Sequence, residues 1–360
     1  MQDYQLIFEK FSLNVLQYVH EIRQASQDYD FDPFTLLKII ECSEQQNESH
    51  DKNSFIIVLK QLGTLVGIFP LRIYRGLFAN GLIDLNSNGF DYNGFILHKS
   101  HSDKSSKIFD EIIQIVSSEL NINIQFIYFK ALERRSLNFL KGGILRPAYY
   151  NYVFHYDGCM PLNKKQKKDT IRNKNKLSKE HSMEVEHGIW LLDSSKIEQF
   201  VCWKLHNLPK MSRRTKTKLT QIYLKYFRLI SICHQHYADC ILLSQIKLNG
   251  TTQAFSIGFV NNTTYYYLFP VYNPDYAHFS IGKILQLEIL DYCEAKKFRT
   301  FDFCNGNETY KRWFSNDVKN VYEYTRCIGY LGNLFIWRAK LQDIIFVLLR
   351  WCKVKVHEYL

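Results

Sequence analysis

The stretch that decides the reading is Phe301-Asp302-Phe303-Cys304-Asn305-Gly306-Asn307-Glu308-Thr309-Tyr310-Lys311-Arg312-Trp313-Phe314. An alternating apolar run ends in an acid, a glycine turn follows, and then an acid, a tyrosine and a lysine come before two aromatics. Arg299 to Phe303 has the composition of a short strand. Asp302 therefore sits at a strand's carboxyl end, where α/β folds place their sites. Glu308, Tyr310 and Lys311 follow within one turn. A helix precedes the strand: Ile281 to Ala295 carries Ile281, Ile284, Leu285 and Ile289 near one face. Its first turn holds Ser280, Gly282 and Lys283, small and basic residues at a helix N-terminus, where free N–H groups and the helix dipole suit phosphate.

Working upstream, Asp239–Leu248, Thr252–Val260 and Thr264–Val271 read as three strands, with Asn249-Gly250 as the hairpin turn between the first two. The order strand, strand, strand, helix, strand recurs earlier, in Phe55–Leu59, Leu65–Ile73, Leu82–Leu85, Lys107–Leu120 and Ile124–Phe129. No residue-level repeat accompanies it. Further helices are expected at Pro33–Glu44, Lys196–His206 and Lys216–Ile232, with Ser195 and Glu198 forming a capping box. The expectation is an α/β (α+β) chain of two mixed modules, each with its own central sheet, meeting along a cleft. The boundary falls between about residues 150 and 185.

At 360 residues with 46% hydrophobic and 22% charged side chains, the chain can bury large cores, which excludes disorder as its main state. No run approaches the ~18 apolar residues of a membrane span, and no secretory leader is expected at Met1. Nine cysteines without a C-x-x-C pair argue against a zinc site or a disulfide framework. His234-x-His236 with Cys233 and Cys240 fits no ordinary zinc spacing, so no metal is expected. The net charge of +11 is localised: residues 163–180 carry +6, residues 209–218 carry +5, and the remainder is neutral. Such stretches are either solubilising surface or a footprint for a coenzyme phosphate, RNA or anionic lipid.

The 301–314 stretch resembles the F-D-F-x-x-G-x-E-x-Y-K-x-x-W/F pattern of the CelD/BcsL-type acyltransferases, a branch of the GNAT superfamily. Lys168–Leu177 is similar to the basic helix that opens that family's domain, and Ile241–Phe269 to its three-strand meander. Ser280-x-Gly282 to Ala295 is similar to its cofactor-side helix. Phe279-Ser280-Ile281-Gly282 departs from the Ser-Pro-Gly of many relatives, and the Q/R-x-x-G-x-G/A loop of standard GNAT enzymes is absent. The tandem order is also similar to the FemABX aminoacyl transferases.

The resemblance implies two tandem GNAT-like modules, each a mixed sheet flanked by helices. Residues 1–160 would be the first module, degenerate or not, 161–330 the acyltransferase module and 331–360 a C-terminal helix. It implies an acyl-CoA co-substrate and an amine acceptor, such as a nucleotide-linked amino sugar in envelope or exported polysaccharide synthesis, in the cytoplasm or at the inner membrane surface. Ser280, Gly282 and Lys283 would hold the coenzyme, and Asp91 and Tyr92 would line the acceptor cleft. Asp302 or Glu308 could take the amine proton, Tyr310 protonate the thiolate, and Lys311 stabilise the oxyanion or hold a phosphate. Together these four are expected to converge on one concave surface. Against this stand plainer roles: Asp302 capping its turn, Tyr310 as core, and Glu308 with Lys311 as an exposed pair. A FemABX-like use of aminoacyl-tRNA, and a non-catalytic protein binding RNA or a membrane surface, are the alternatives.

Overall fold

A computed structural model describes residues 4–30, 33–44, 53–76, 79–85, 92, 94–140, 142–157, 164–188, 194–207, 212–306, 308–334 and 337. Asp91 and nearly all of the expected C-terminal helix lie outside them, as do the side chains of Cys233, His234 and His236.

In chain order the first half contains β1 (Tyr4–Lys10), α1 (Leu16–Gln24), β2 (Tyr29–Asp30), α2 (Pro33–Glu44), β3 (Ser54–Gln61), β4 (Thr64–Arg75) and β5 (Asn80–Asp84). It continues with β6 (Ile96–His98), α3 (Ser105–Leu120), β7 (Ile124–Leu132) and β8 (Ile144–His155). The second half contains α4 (Lys164–Glu180), β9 (Met183–His187), α5 (Ser194–His206), α6 (Arg213–Tyr237), β10 (Ile241–Leu248) and β11 (Thr251–Asn261). After these come β12 (Thr264–Tyr272), α7 (Ile281–Ala295), β13 (Thr300–Asp302), α8 (Thr309–Phe314) and β14 (Asp317–Cys327).

The expected repeat is present. β3, β4, β5, α3 and β7 have their counterparts in β10, β11, β12, α7 and β13, and in each half the strands flanking the helix pair in parallel. Turn chemistry sets the hairpins: Leu62-Gly63 and Asn249-Gly250 both take left-handed φ, at 49° and 82° and at 51° and 78°. The expectation of two separate sheets is corrected. The halves share one sheet, ordered β1-β3-β4-β5-β7-β14-β8-β13-β12-β11-β10-β9, with β2 and β6 beside it.

The join is an exchange. β8, the last strand of the first half, pairs with β13 of the second, and β14 crosses back to pair with β7 of the first. β8 and β14 also pair with each other, from Asp317 opposite Val153 to Thr325 opposite Ile144. Strand alternation then divides the core. On one face Phe55, Ile57 and Leu59 of β3 pack under α3, and Tyr265, Tyr267, Phe301 and Phe303 pack under α7. On the other face a single core runs under both halves, joining Ile56 and Val58 to Phe255, Ile257 and Tyr266 beneath helices α1, α2, α5 and α6.

Two further points concern helices. The basic stretch at 163–180 opens the second half as a helix: α4 buries Thr170 and Leu177, and Lys174 pairs with Glu288 of α7. Helix α5 is Ser194–His206, and the Ser195 side chain, with the expected capping box, lies outside the described residues.

The exchange makes each half incomplete alone, because cutting the chain near residue 160 bares β7 and β13 along the centre of the sheet. Unpaired strand edges of this kind aggregate. Residues 1–160 and 161–360 expressed separately are expected to be insoluble or non-cooperative in thermal unfolding, and to form a one-to-one complex when co-expressed. Size-exclusion chromatography with circular dichroism decides, and a cooperative, monomeric 161–360 fragment would contradict it.

Candidate active site

Strand β13 is three residues long, and its alternation places the site. Phe301 and Phe303 point under α7, with Phe301 4.9 Å from the Tyr265 ring and 4.7 Å from Phe303. Asp302 must then point to the opposite face, where it is 1% exposed. There the Tyr92 hydroxyl donates to Asp302 Oδ2 at 2.6 Å, and the Cys304 N–H donates to Oδ1 at 2.8 Å. Lys319 of β14 brings its Nζ to 3.9 Å from Oδ2 while ion-pairing with Glu133, just past the end of β7. Burial raises the Asp302 carboxyl above the usual carboxylate range, and Glu133 adds to the rise. Lys319, the Tyr92 hydroxyl and the Cys304 N–H pull it back.

Asp302 and Lys319 line a cavity of about 510 Å³ whose other walls include Tyr266, His155, Asn262 and Thr300. Tyr92 is brought to the site but not as expected. It is fully buried behind Asp302, its ring tilted against Phe34 and edge-on to Tyr266, and so supports the carboxylate without facing the cavity.

Past Asp302 the chain reverses through Cys304, at φ 57°, and Gly306, at φ 127°. Lys311, on the short helix α8, points back into this turn and is 3% exposed. Its Nζ donates to the carbonyls of Cys304, at 3.4 Å, and of Asn305, and pairs with Glu308 at 3.0 Å. Gly306's φ is one that L side chains rarely adopt, and a Cβ there would also crowd Glu308 Oε2 at 2.2 Å and Lys311 Nζ at 2.6 Å, so the turn favours glycine. The lysine clasps the loop.

The other expected residues meet across the sheet. Ser280, Gly282, Lys283, Glu308 and Tyr310 line a second cavity of about 500 Å³, whose other walls include Tyr267, Tyr272, Lys204 of α5 and Asn207 just past it. Ser280 takes a left-handed φ of 56° ahead of α7, whose first N–H groups have no partner within the helix. A side chain at Gly282 would strike the Tyr272 ring at 2.8 Å, so the glycine keeps this wall in place. Lys283 lies over the Trp313 ring, 4.5 Å from its centroid. Burial holds the Tyr310 hydroxyl well above its ordinary pKa, so it keeps its proton at neutral pH.

The expected convergence on one surface is thus corrected. Asp302 opens on one face, Glu308 and Tyr310 on the other, and Lys311 lines neither cavity. The reason is strand alternation followed by the reversal at Cys304. The two cavities still share a boundary. Pairing of β12 with β13 ends at Tyr266 opposite Asp302, while β12 continues to Tyr272. The strands part there, and the consecutive residues Tyr266 and Tyr267 line one cavity each.

Sequence reasoning missed Lys319 and Glu133. No local spacing reveals them, because they reach Asp302 only through the exchanged strand. Basic helix α4 lines neither cavity, and the Lys176 ammonium lies 5.3 Å from the Phe279 ring centroid. Among the described residues no cluster of three or more His, Cys, Asp or Glu could hold a metal ion, and no helix is long and apolar enough to cross a membrane.

Comparison with known proteins bears on the fold. Residues 164–312 match the family model described as acetyltransferase (GNAT) domain. The match to a GNAT domain thus lies in the second half, and the first half repeats the strand and helix order of the second. Its fold is similar to that of L-PGS from Bacillus licheniformis, with TM-score 0.57 and 9% identity over 93% of this chain and 98% of that one. FemX gives TM-score 0.53 and 10% identity over 76% of this chain and 88% of that one. The C-terminal domain (DUF2156) of a putative lysylphosphatidylglycerol synthetase from Agrobacterium fabrum gives 0.52 and 10% over 91% and 97%. At these identities the likeness is one of fold. No curated protein matches.

Two outcomes follow from the site. Removing Lys311 leaves buried carbonyls without their charged donor, at a cost of about 2–3 kcal/mol. Lys311→Met is expected to lower the denaturation midpoint accordingly, read by urea titration. Asp302 has a raised pKa, so the native state binds more protons than the unfolded chain, and its contribution to stability falls as pH rises from the ordinary carboxylate range. The difference in melting temperature between Asp302→Asn and wild type should therefore be more positive at pH 7 than at pH 4.

Proposed function

We propose that the protein is an N-acyltransferase that takes its acyl group from acyl-CoA in the α7 cavity and passes it, where β12 and β13 part, to an amine held in the Asp302 cavity. The observation that carries this is the end of pairing at Tyr266 and Asp302, which sets the two cavities back to back. In this reading the N–H groups at the head of α7, with Ser280, Gly282 and Lys283, receive the coenzyme's pyrophosphate. Asp302 accepts the amine proton, and Tyr310, protonated and lining the donor cavity, supplies the departing thiolate. Glu308 borders the donor cavity and holds Lys311, which keeps the loop closed and leaves the oxyanion to other groups.

The acceptor class follows from the lining. Asn261, Asn262, Thr263, Thr264, Thr300 and Asn320 offer amide and hydroxyl groups around two carboxylates. Such a lining suits a polyhydroxylated amine, and this supports an amino sugar, carried on a nucleotide, in envelope or exported polysaccharide synthesis, as in the CelD/BcsL-type enzymes. The work would be done on the cytoplasmic side of the membrane.

A second reading has its own observation. The cations Lys165, Lys167, Lys168, Arg172 and Lys179 of α4 are exposed, as are Arg213, Lys216 and Lys218 at the start of α6. They form two basic patches, the kind of charge an aminoacyl-tRNA would meet, and the fold is similar to that of FemX.

Thermal shift separates the readings. Acetyl-CoA at a hundred times its Kd should stabilise the protein by about 2.7 kcal/mol, with a shallow dependence on salt. Acetyl transfer to glucosamine should fall by about two orders of magnitude or more in Asp302→Asn. Binding of charged tRNA with a steep salt slope, and none of acetyl-CoA, would transfer the reaction to the second reading. Binding without transfer from any thioester or aminoacyl donor would leave a non-catalytic protein.

A further inference from the structure

We propose that Glu133 and Lys319 are the positioning pair of the acyl transfer: the ammonium of Lys319, set between two buried carboxylates, favours the ionised Asp302 that takes the acceptor's proton, and Glu133 sets how much of that charge Asp302 receives. The inference rests on the acyltransferase reading and adds residues from the opposite half of the molecule.

Glu133 and Asp302 are both 1% exposed. Lys319 reaches between them from β14, paired with Glu133 and 3.9 Å from Asp302 Oδ2, its ammonium 5.1 Å from the Tyr92 ring centroid. A buried charge must be paired or hydrogen-bonded to persist. Here Lys319 stands between two buried carboxyl groups, paired with Glu133 and within reach of Asp302. The groups facing Asp302 are the Tyr92 hydroxyl, the Cys304 N–H and thiol, Lys319 and Glu133. Arg134, His155 and Asp317 stand farther out on the cavity wall, with His155 Nε2 3.1 Å from Asp317 Oδ2. Lys319 lies closer to Glu133 than to Asp302. Asp302 therefore receives the smaller share of the Lys319 charge, and an incoming ammonium adds to it.

The chemistry balances. The acceptor's ammonium gives one proton to Asp302 and becomes an amine. Its nitrogen lone pair attacks the thioester carbonyl carbon, forming the C–N bond, and the C–S bond breaks. The second nitrogen proton passes to the departing sulfur, through Tyr310 or water, so that the coenzyme leaves as its thiol. Asp302 returns its proton to water. Without Lys319, ionised Asp302 and Glu133 would repel each other and the carboxyl would hold its proton into the working pH range. Without the charge of Glu133, Lys319 would be free to serve Asp302 alone.

The test titrates Asp302 directly, in full-length protein labelled with 13Cγ-aspartate, with Asp302→Asn used to assign its resonance. Lys319→Met should raise the Asp302 midpoint by about one unit or more, and Glu133→Gln should lower it. The acid limb of kcat/KM for acetyl transfer from acetyl-CoA to glucosamine should move in the same two directions. An ion pair that merely joined the two halves would change the melting temperature of both variants and leave the Asp302 midpoint where it is. That result overturns the proposal. Glu133→Gln is isosteric, so it supplies the answer even if Lys319→Met fails to fold. Midpoints that move as stated in a wild type unable to use any acyl-CoA would instead overturn the acyltransferase reading, and with it the role of the pair.

Discussion

The hydrogen-bond ladder between β8 and β14 is the constraint on which the rest depends. Both neighbours of each of these strands belong to the other half, β13 and β14 for β8 and β7 and β8 for β14, so the ladder fuses two repeats of four strands and a helix into a single sheet. It also fixes the site. Asp302 lies on β13, beside β8, and Val153 stands opposite both Asp302 and Asp317. Lys319, two residues along β14, is thereby delivered to the same face, and Glu133 follows β7 on the far side of β14. Polar residues separated by more than 180 positions in the chain become neighbours by backbone register alone.

The site shows a division of labour between charge and loop geometry. Asp302 accepts from Tyr92 and Cys304, which use up part of its hydrogen-bonding capacity and keep its orientation single. Lys311 spends its donors on Cys304, Asn305 and Glu308 and so holds the reversal that frees Asp302 from the strand beneath α7. The donor-side cavity draws on different forces: a helix N-terminus, aromatic walls at Tyr267 and Tyr272, and a lysine stacked on Trp313. Two chemically different pockets suit two chemically different substrates.

Much of this was legible in the sequence, and the remainder was hidden for a definite reason. Helix α7 is Ile281–Ala295, as its spacing predicts, and the hairpins at Gly63 and Asn249-Gly250 follow from turn chemistry. These are local signals. β8 and β14 give no local sign of their partners, since the register of a strand is set by what it pairs with and not by its own composition. The same limit explains the site. Ser280, Gly282, Lys283, Glu308 and Tyr310 do share a cavity, because the turns that bring them together are short. Asp302 is separated from them by one alternation of the backbone, and Glu133 and Lys319 are invisible without the exchange. Lys311 was legible as an important residue, and its burial against loop carbonyls tells why a lysine stands there.

The exchange also sets a timetable for synthesis. β7 ends at Leu132, but the strand that covers it, β14, begins only at Asp317. At the ribosome's pace of ~5–20 residues per second, the gap amounts to on the order of ten to forty seconds during which one edge of the first half stays bare. Through that interval the nascent chain is more exposed to misassembly than its finished form suggests. Domain-by-domain folding, the ordinary advantage of a tandem protein, is closed to it, and its yield in a cell depends on what shields β7 until the last strand arrives.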